Sequence, residues 1–170
     1  YYSVTRLASD GEIRIGDNEF QVTGTSWLDR EWSTSALSEG QAGWDWFALQ
    51  LDDGRDLMLY RMRRDDGGTD PASAGTLVDR EGAVESLGAD DIVFRALETW
   101  TSPATGVSYP LRWELRLPGH DLALLVTPAF EAQEMDVTVR YWEGAITVQG
   151  EQAGRPVSGR GYMELAGYAD

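Results

Sequence analysis

The 170-residue sequence predicts an all-β fold, an antiparallel up-and-down β-barrel of about eight to ten strands. Three observations carry this expectation. Short segments of alternating apolar and polar residues recur between turn signals spaced about 8–12 residues apart. No stretch holds a helical period beyond two turns. Asp52-Asp53-Gly54 divides two alternating arms, 44–51 and 55–64, and is the strongest hairpin signal in the chain. Closing a series of hairpins into a barrel removes exposed sheet edges.

In order, residues 2–7 alternate as a short strand, and 12–15 and 19–22 flank Gly16-Asp17-Asn18 as a hairpin. Residues 27–33 read as an irregular strand, because the Asp29-Arg30-Glu31 centre is poor strand material and marks a bulge or bend. A loop over 35–43 leads into the Trp-rich hairpin, which a Gly-rich loop over 65–71 closes. A weaker hairpin joins 75–79 to 83–87 around Glu81-Gly82. Residues 92–100 form a strand and Pro103-Ala104-Thr105-Gly106 a turn. The cleanest alternation is 109–117, where Leu111, Trp113, Leu115 and Leu117 oppose Arg112, Glu114 and Arg116, a strand with one solvated face. Segments 122–127, 135–140, 141–149 and 157–165 complete a set of about eleven strands.

The stretch from Trp27 to Arg64 organises the rest. Four of the seven tryptophans fall between Trp27 and Trp46. Along 44–51, Trp44, Trp46 and Ala48 point one way and Asp45, Phe47, Leu49 and Leu51 the other. Neither face is polar, so both are expected to be partly covered. Asp45 among large apolar groups breaks the pattern, and such conflicts tend to mark function.

Composition narrows the classes. At 170 residues the chain is read as one domain, 1–170. Net charge is −15 and the 14 cations, all arginine, are dispersed, which argues against nucleic acid as a partner. No run of 18 apolar residues spans a membrane, and the opening Tyr1-Tyr2-Ser3-Val4 is strand-like rather than a signal peptide. The absence of cysteine excludes disulfides, thiolate metal sites and a Cys nucleophile. His120 is the only histidine, so a two-His metal site is excluded, and its Pro118-Gly119-His120-Asp121 setting is a turn. The acidic pairs Asp52-Asp53, Asp65-Asp66 and Asp90-Asp91 lack the spacing of a calcium loop and read as solvated turns. No phosphate-cradling glycine loop precedes a helix. No metal and no cofactor are expected.

Four strings in one order then carry a likeness: Trp27-Leu28-Asp29-Arg30-Glu31-Trp32-Ser33, Gly43-Trp44-Asp45-Trp46-Phe47, Tyr141-Trp142-Glu143-Gly144, and Gly159-Arg160-Gly161-Tyr162-Met163-Glu164-Leu165-Ala166-Gly167-Tyr168. Together they resemble the AttH-like/carotenoid 1,2-hydratase family, and more closely the second lipocalin-like barrel of its bacterial members described as predicted secreted hydrolases. The resemblance implies a lipocalin-like (calycin) barrel. It also implies that the chain is the C-terminal half of a longer two-barrel protein, with a periplasmic or secreted location for that parent. The hydratase branch of this family has an Asp-His-x-Trp motif where this chain has Asp29-Arg30-Glu31-Trp32, and Arg30 cannot serve as acid or base near neutral pH. That branch also has Tyr-x-Asp where Tyr60-Arg61-Met62 keeps the tyrosine and lacks the carboxylate. The resemblance therefore implies the fold more directly than the reaction.

Candidate site residues follow from chemistry. Asp29, Glu31 and Asp45 are the candidate proton donors to an alkene or enol, with Tyr60 as helper. Their competing reading is internal pairing, an Asp/Glu–Arg network for Asp29 and Glu31, and for Asp45 hydrogen bonds from an indole N–H or from an Arg such as Arg61 or Arg63. Trp27, Arg30, Trp32, Trp44, Trp46, Arg61, Tyr141 and Trp142 are the candidate ligand-binding residues, although Tyr141-Trp142-Glu143 reads as barrel wall before it reads as site. The expected partners are a small hydrophobic or amphipathic molecule, isoprenoid- or lipid-like, and the N-terminal barrel of the same parent. Three functions stay open: a ligand-binding domain, a hydratase or isomerase, and a module that docks the other barrel.

Overall fold

Turns at glycines in left-handed backbone set the hairpins, and period-two alternation between them decides what each side covers. The computed structural model describes residues 1–35, 37–137 and 140–169. In chain order these form β1 (Tyr2–Ile15), β2 (Asn18–Arg30), β3 (Gln41–Leu51), β4 (Asp56–Arg64), β5 (Ala74–Val78), β6 (Val84–Gly88), β7 (Val93–Thr101), β8 (Ser108–Leu117), β9 (Leu122–Pro128), β10 (Glu134–Asp136), β11 (Arg140–Gln152) and β12 (Arg155–Ala166). Single 3-10 turns occupy Ala89–Asp91 and Pro118–His120. The chain divides into two compact units, Tyr1–Ala36 and Leu37–Asp170, each taken by itself below.

In the first unit β1 and β2 pair antiparallel from Tyr2 opposite Arg30 to Ile15 opposite Asn18. Gly16, at φ 59°, supplies the left-handed turn. The predicted short strands 2–7 and 12–15 are one strand, because Ala8 to Gly11 pair with Val22 to Thr25 and bridge the weak middle. The irregularity expected in Asp29-Arg30-Glu31 falls instead on the partner strand, between Val4 and Leu7. Asp29 and Arg30 lie in regular pairing with Ser3 and Tyr2.

The second unit is one antiparallel sheet in the order β6-β5-β4-β3-β12-β11-β9-β8-β7, with β10 added to β11. β3 to β6 and β7 to β12 are two meanders, and pairing of β12 with β3 joins the first strand to the last. The strand order is that of an up-and-down barrel, and the lipocalin-like class predicted from sequence holds. The sheet curls as a half-barrel whose two ends are β6 and β7. β7 changes register twice, at Ala96/Glu98 and Glu98/Thr99, and such bulges turn a sheet edge away from further pairing. Thr138 and Val139 of the predicted strand 135–140, and Ala36 of the predicted loop 35–43, lie outside the described residues.

The core of the second unit is lined by alternate residues of β3, β8, β9, β11 and β12, together with β4. Phe47, Leu49, Leu57, Leu59, Trp113, Leu115, Trp142 and Met163 are all fully buried, and Phe47 meets Trp113 edge-to-face with centroids 5.5 Å apart. The space inside the curl is thus occupied by side chains. On β12, a Cβ on Gly161 would collide with the Ala48 carbonyl and one on Gly159 with the Gln50 carbonyl, so glycine permits the close β3–β12 approach.

Candidate functional site

The turn at Asp53 places Asp45 opposite Arg61, Trp46 opposite Tyr60 and Trp44 opposite Met62. Alternation then sends these pairs to opposite faces. On the core side Asp45 has no exposed surface. Its Oδ1 accepts a hydrogen bond from Tyr168 Oη at 2.7 Å and lies 3.3 Å from Arg63 Nε, while Oδ2 lies 3.5 Å from Arg61 Nη1. The Arg63 guanidinium sits 3.8 Å over the Tyr168 ring, and its Nη2 donates to the Ala166 carbonyl. Arg61 also donates from Nε to Thr69 Oγ1 at 3.0 Å. Burial pushes the Asp45 carboxyl up, against the Tyr168 hydrogen bond and the two guanidinium charges. Burial and the Asp45 charge both push the Tyr168 phenol up, so it remains a donor at neutral pH. This cluster pins the C-terminal segment to β3 and β4.

The face turned away from the core has a different chemistry. Pairing of β4, β3, β12 and β11 builds three rungs there: Met62–Trp44–Ala166–Tyr141, Tyr60–Trp46–Glu164–Glu143 and Met58–Ala48–Tyr162–Ala145. Trp44 Nε1 donates to Glu164 Oε1 at 2.7 Å, and the Trp44 and Tyr141 rings are 6.3 Å apart. Tyr162 Oη donates to Glu143 Oε2 at 3.3 Å. Glu143 and Glu164 are directly opposite one another, an arrangement that repels unless donors relieve it. Desolvation first, then the charges of Glu164 and Glu143, push the Tyr141 phenol up, and the same causes act on Tyr162. Both phenols stay protonated near neutrality, available to donate hydrogen bonds. Aromatic walls, phenol donors and paired carboxylates can hold an apolar, hydroxylated molecule and exchange a proton with it.

The remaining predicted residues are placed as follows. Trp142 is fully buried in the core, its Nε1 donating to the Glu131 carbonyl at 2.7 Å. Trp27, Asp29, Arg30, Glu31 and Trp32 belong to the first unit. There Asp29 accepts from Tyr1 Oη at 2.7 Å and Ser3 Oγ at 2.5 Å, and Arg30 lies 5.1 Å over the Trp32 ring. His120 sits in its predicted turn, 3.3 Å from Glu85. Four of the anticipated residues, Trp44, Trp46, Tyr60 and Tyr141, thus share one outer face, and Asp45 with Arg61 occupies the opposite one. Glu143, Tyr162, Glu164 and Tyr168 stand in the strings that carry the family resemblance but are not among the candidate site residues the sequence singles out. Alternation within 141–145 and 162–166 was the available signal, but only the register between distant strands brings these groups together.

A curled antiparallel sheet of this strand order, its inside filled by side chains, defines a lipocalin-like domain. The AttH-like family model matches residues 1–168, and the chain belongs to the AttH-like family. It is similar in structure to an AttH protein from Nitrosomonas europaea, with a TM-score of 0.87 and 36% identity over 99% of this chain and 52% of that one. The kievitone hydratase of Nectria haematococca shares the fold at a TM-score of 0.77 and 20% identity, over 98% of this chain and 52% of that one. In sequence, the chain is 24% identical to the dehydratase asqC of Emericella nidulans over 180 residues, which cover 96% of this chain and 49% of that protein. It is also 24% identical to the kievitone hydratase of Fusarium solani subsp. phaseoli, over 82% of this chain and 40% of that protein. The chain therefore spans about half the length of the proteins it matches.

Proposed function

We propose that this chain is the small-molecule-binding domain of a hydratase- or dehydratase-class protein, and that the ligand lies against the outer face of β4, β3, β12 and β11. The observation that carries this reading is the three-rung lattice, which sets Trp44, Trp46, Tyr60 and Tyr141 around the Glu143–Glu164 pair. The core offers less, since Phe47, Trp113 and Trp142 fill it and Asp45 is enclosed. A flat apolar group would stack on Trp44 and Trp46, and its hydroxyl would meet a phenol or a carboxylate. In hydration, a protonated carboxyl gives its proton to one alkene carbon, water adds to the other, and the proton lost by that water restores the acid; dehydration runs the same steps backwards. The hydratase and dehydratase relatives support this class. Asp29 and Glu31 of the first unit remain proton-donor candidates beside Glu143 and Glu164.

Tryptophan quenching by a panel of unsaturated and hydroxylated isoprenoid and phenolic probes tests binding, with Trp46→Phe and Tyr141→Ala expected to weaken it at least tenfold. Turnover by the complete polypeptide carrying Glu143→Gln, Glu164→Gln, Asp29→Asn or Glu31→Gln, one at a time, then assigns the donor. A panel that leaves the fluorescence unchanged overturns the reading.

A further inference from the structure

The β1–β2 hairpin is strongly two-faced. Following the register past the irregularity at Val4/Leu7, one face carries Val4, Leu7, Ile13, Phe20, Val22 and Leu28, and the other Asp10, Glu12, Arg14, Glu19 and Asp29. The six apolar side chains are 36–49% exposed. All acidic residues at the paired positions fall on the second face, Arg30 is the one paired charge on the first, and Arg6 lies within the irregularity. On the polar face Arg14 bridges Glu12 at 3.0 Å and Glu19 at 3.1 Å, a solvated ion cluster. A two-stranded hairpin is marginal by itself and needs its apolar side packed. In a chain of net charge −15, a face without a carboxylate is unusual.

We infer that the apolar face of the β1–β2 hairpin is a docking surface for the half of the polypeptide that the longer AttH-like relatives carry beyond the region matched here. The AttH structure aligns with this chain over 99% of its length and yet is nearly twice as long, so the additional half of such a protein is available as an occupant tethered to the same polypeptide. The surface that fits is apolar and poor in carboxylates, since Leu7, Ile13 and Phe20 offer no donor to satisfy one. A second copy fits worse, because bringing two bodies of charge −15 together costs long-range repulsion.

The chain has no cysteine, so single introduced thiols report each face without background. Ile13→Cys and Phe20→Cys mark the apolar face, and Glu12→Cys and Glu19→Cys the polar one. The rate of labelling with a maleimide dye is measured in the 170-residue chain and in the polypeptide joining it to the remaining half. The expected result is comparable rates at all four sites in the short chain, with at least tenfold slowing at 13 and 20 alone in the long one. Amide hydrogen exchange on the unsubstituted proteins gives the same comparison without any variant. Equal labelling at 13 and 20 in both proteins, with no added exchange protection, overturns the inference. So does slowing in the short chain alone that rises with concentration and accompanies a dimer in sedimentation, which assigns the face to a second copy.

Discussion

Tyr168 Oη donates a 2.7 Å hydrogen bond to Asp45 Oδ1, linking the end of the chain to the strand that begins the curled sheet. The carboxylate is fully buried and held by two arginines from the adjacent strand. Removing one partner of such a buried pair leaves a charge without compensation, at a cost of about 3–5 kcal/mol. Arg63→Ala and Asp45→Asn are each expected to destabilise on that scale in urea unfolding. Tyr168→Phe removes one hydrogen bond to a charged group, about 1.5–3 kcal/mol. Midpoints matching the unsubstituted chain would show the cluster to be energetically idle.

Glu134 predicts an acid-side loss of stability. It accepts hydrogen bonds from Ser102 Oγ at 2.6 Å, Thr105 Oγ1 at 2.7 Å and Tyr109 Oη at 2.9 Å. Burial alone raises its carboxyl, but these three hydroxyls outweigh it and hold the carboxyl below its ordinary 4.5. A depressed folded-state value means stability present above pH 4.5 and lost as pH falls through the folded value. Asp45 acts in the opposite sense: raised above 3.8, it favours folding as pH drops through its folded value. Glu134→Gln should therefore flatten the acid limb of the stability–pH curve, and Asp45→Asn should steepen it. Thermal midpoints between pH 3 and 7 distinguish them.

Two glycine-to-alanine changes should differ in sign. Gly161 faces the Ala48 carbonyl so closely that a Cβ forces β12 away from β3, and Gly161→Ala is expected to cost more than about 1 kcal/mol. Gly24 has nothing within 4 Å of a Cβ and ordinary backbone, so Gly24→Ala is expected to gain about 0.4–1 kcal/mol within the hairpin, chiefly through the unfolded state. Hydrogen exchange on the amides of each unit reads the two effects separately.

Tryptophans separate stability from binding. Trp113 is fully buried against Phe47, so Trp113→Ala should cost about 3–5 kcal/mol. Trp46 is half-buried on the outer face, so Trp46→Ala should cost much less stability while abolishing probe quenching. Unfolding curves and ligand titrations on the same two preparations settle the contrast.

Much of this was legible from local pattern. The Asp52-Asp53-Gly54 turn fixes the β3–β4 register, and with it the pairing of Asp45 with Arg61 and the shared face of Trp44, Trp46 and Tyr60. Alternation over 109–117 gave the buried and solvated sides of β8. What stayed hidden depends on strands far apart in sequence. No local signal says that Glu164 opposes Glu143, that Tyr168 reaches Asp45, or that Tyr109 meets Glu134. The length of β1 and β2 was underestimated because Ala8–Gly11 is weak strand material that pairing with Val22–Thr25 rescues.

The joining of β3 to β12 carries a consequence for how the molecule comes together. Each meander can form from neighbouring hairpins, but the union of the two waits on β12, whose partner β3 lies more than a hundred residues earlier in the chain. Until that strand leaves the ribosome, Leu49, Phe47 and Asp45 lack the wall against which they settle. β12 is the keystone of this sheet, and deletions within it should be punished far more severely than their small size implies.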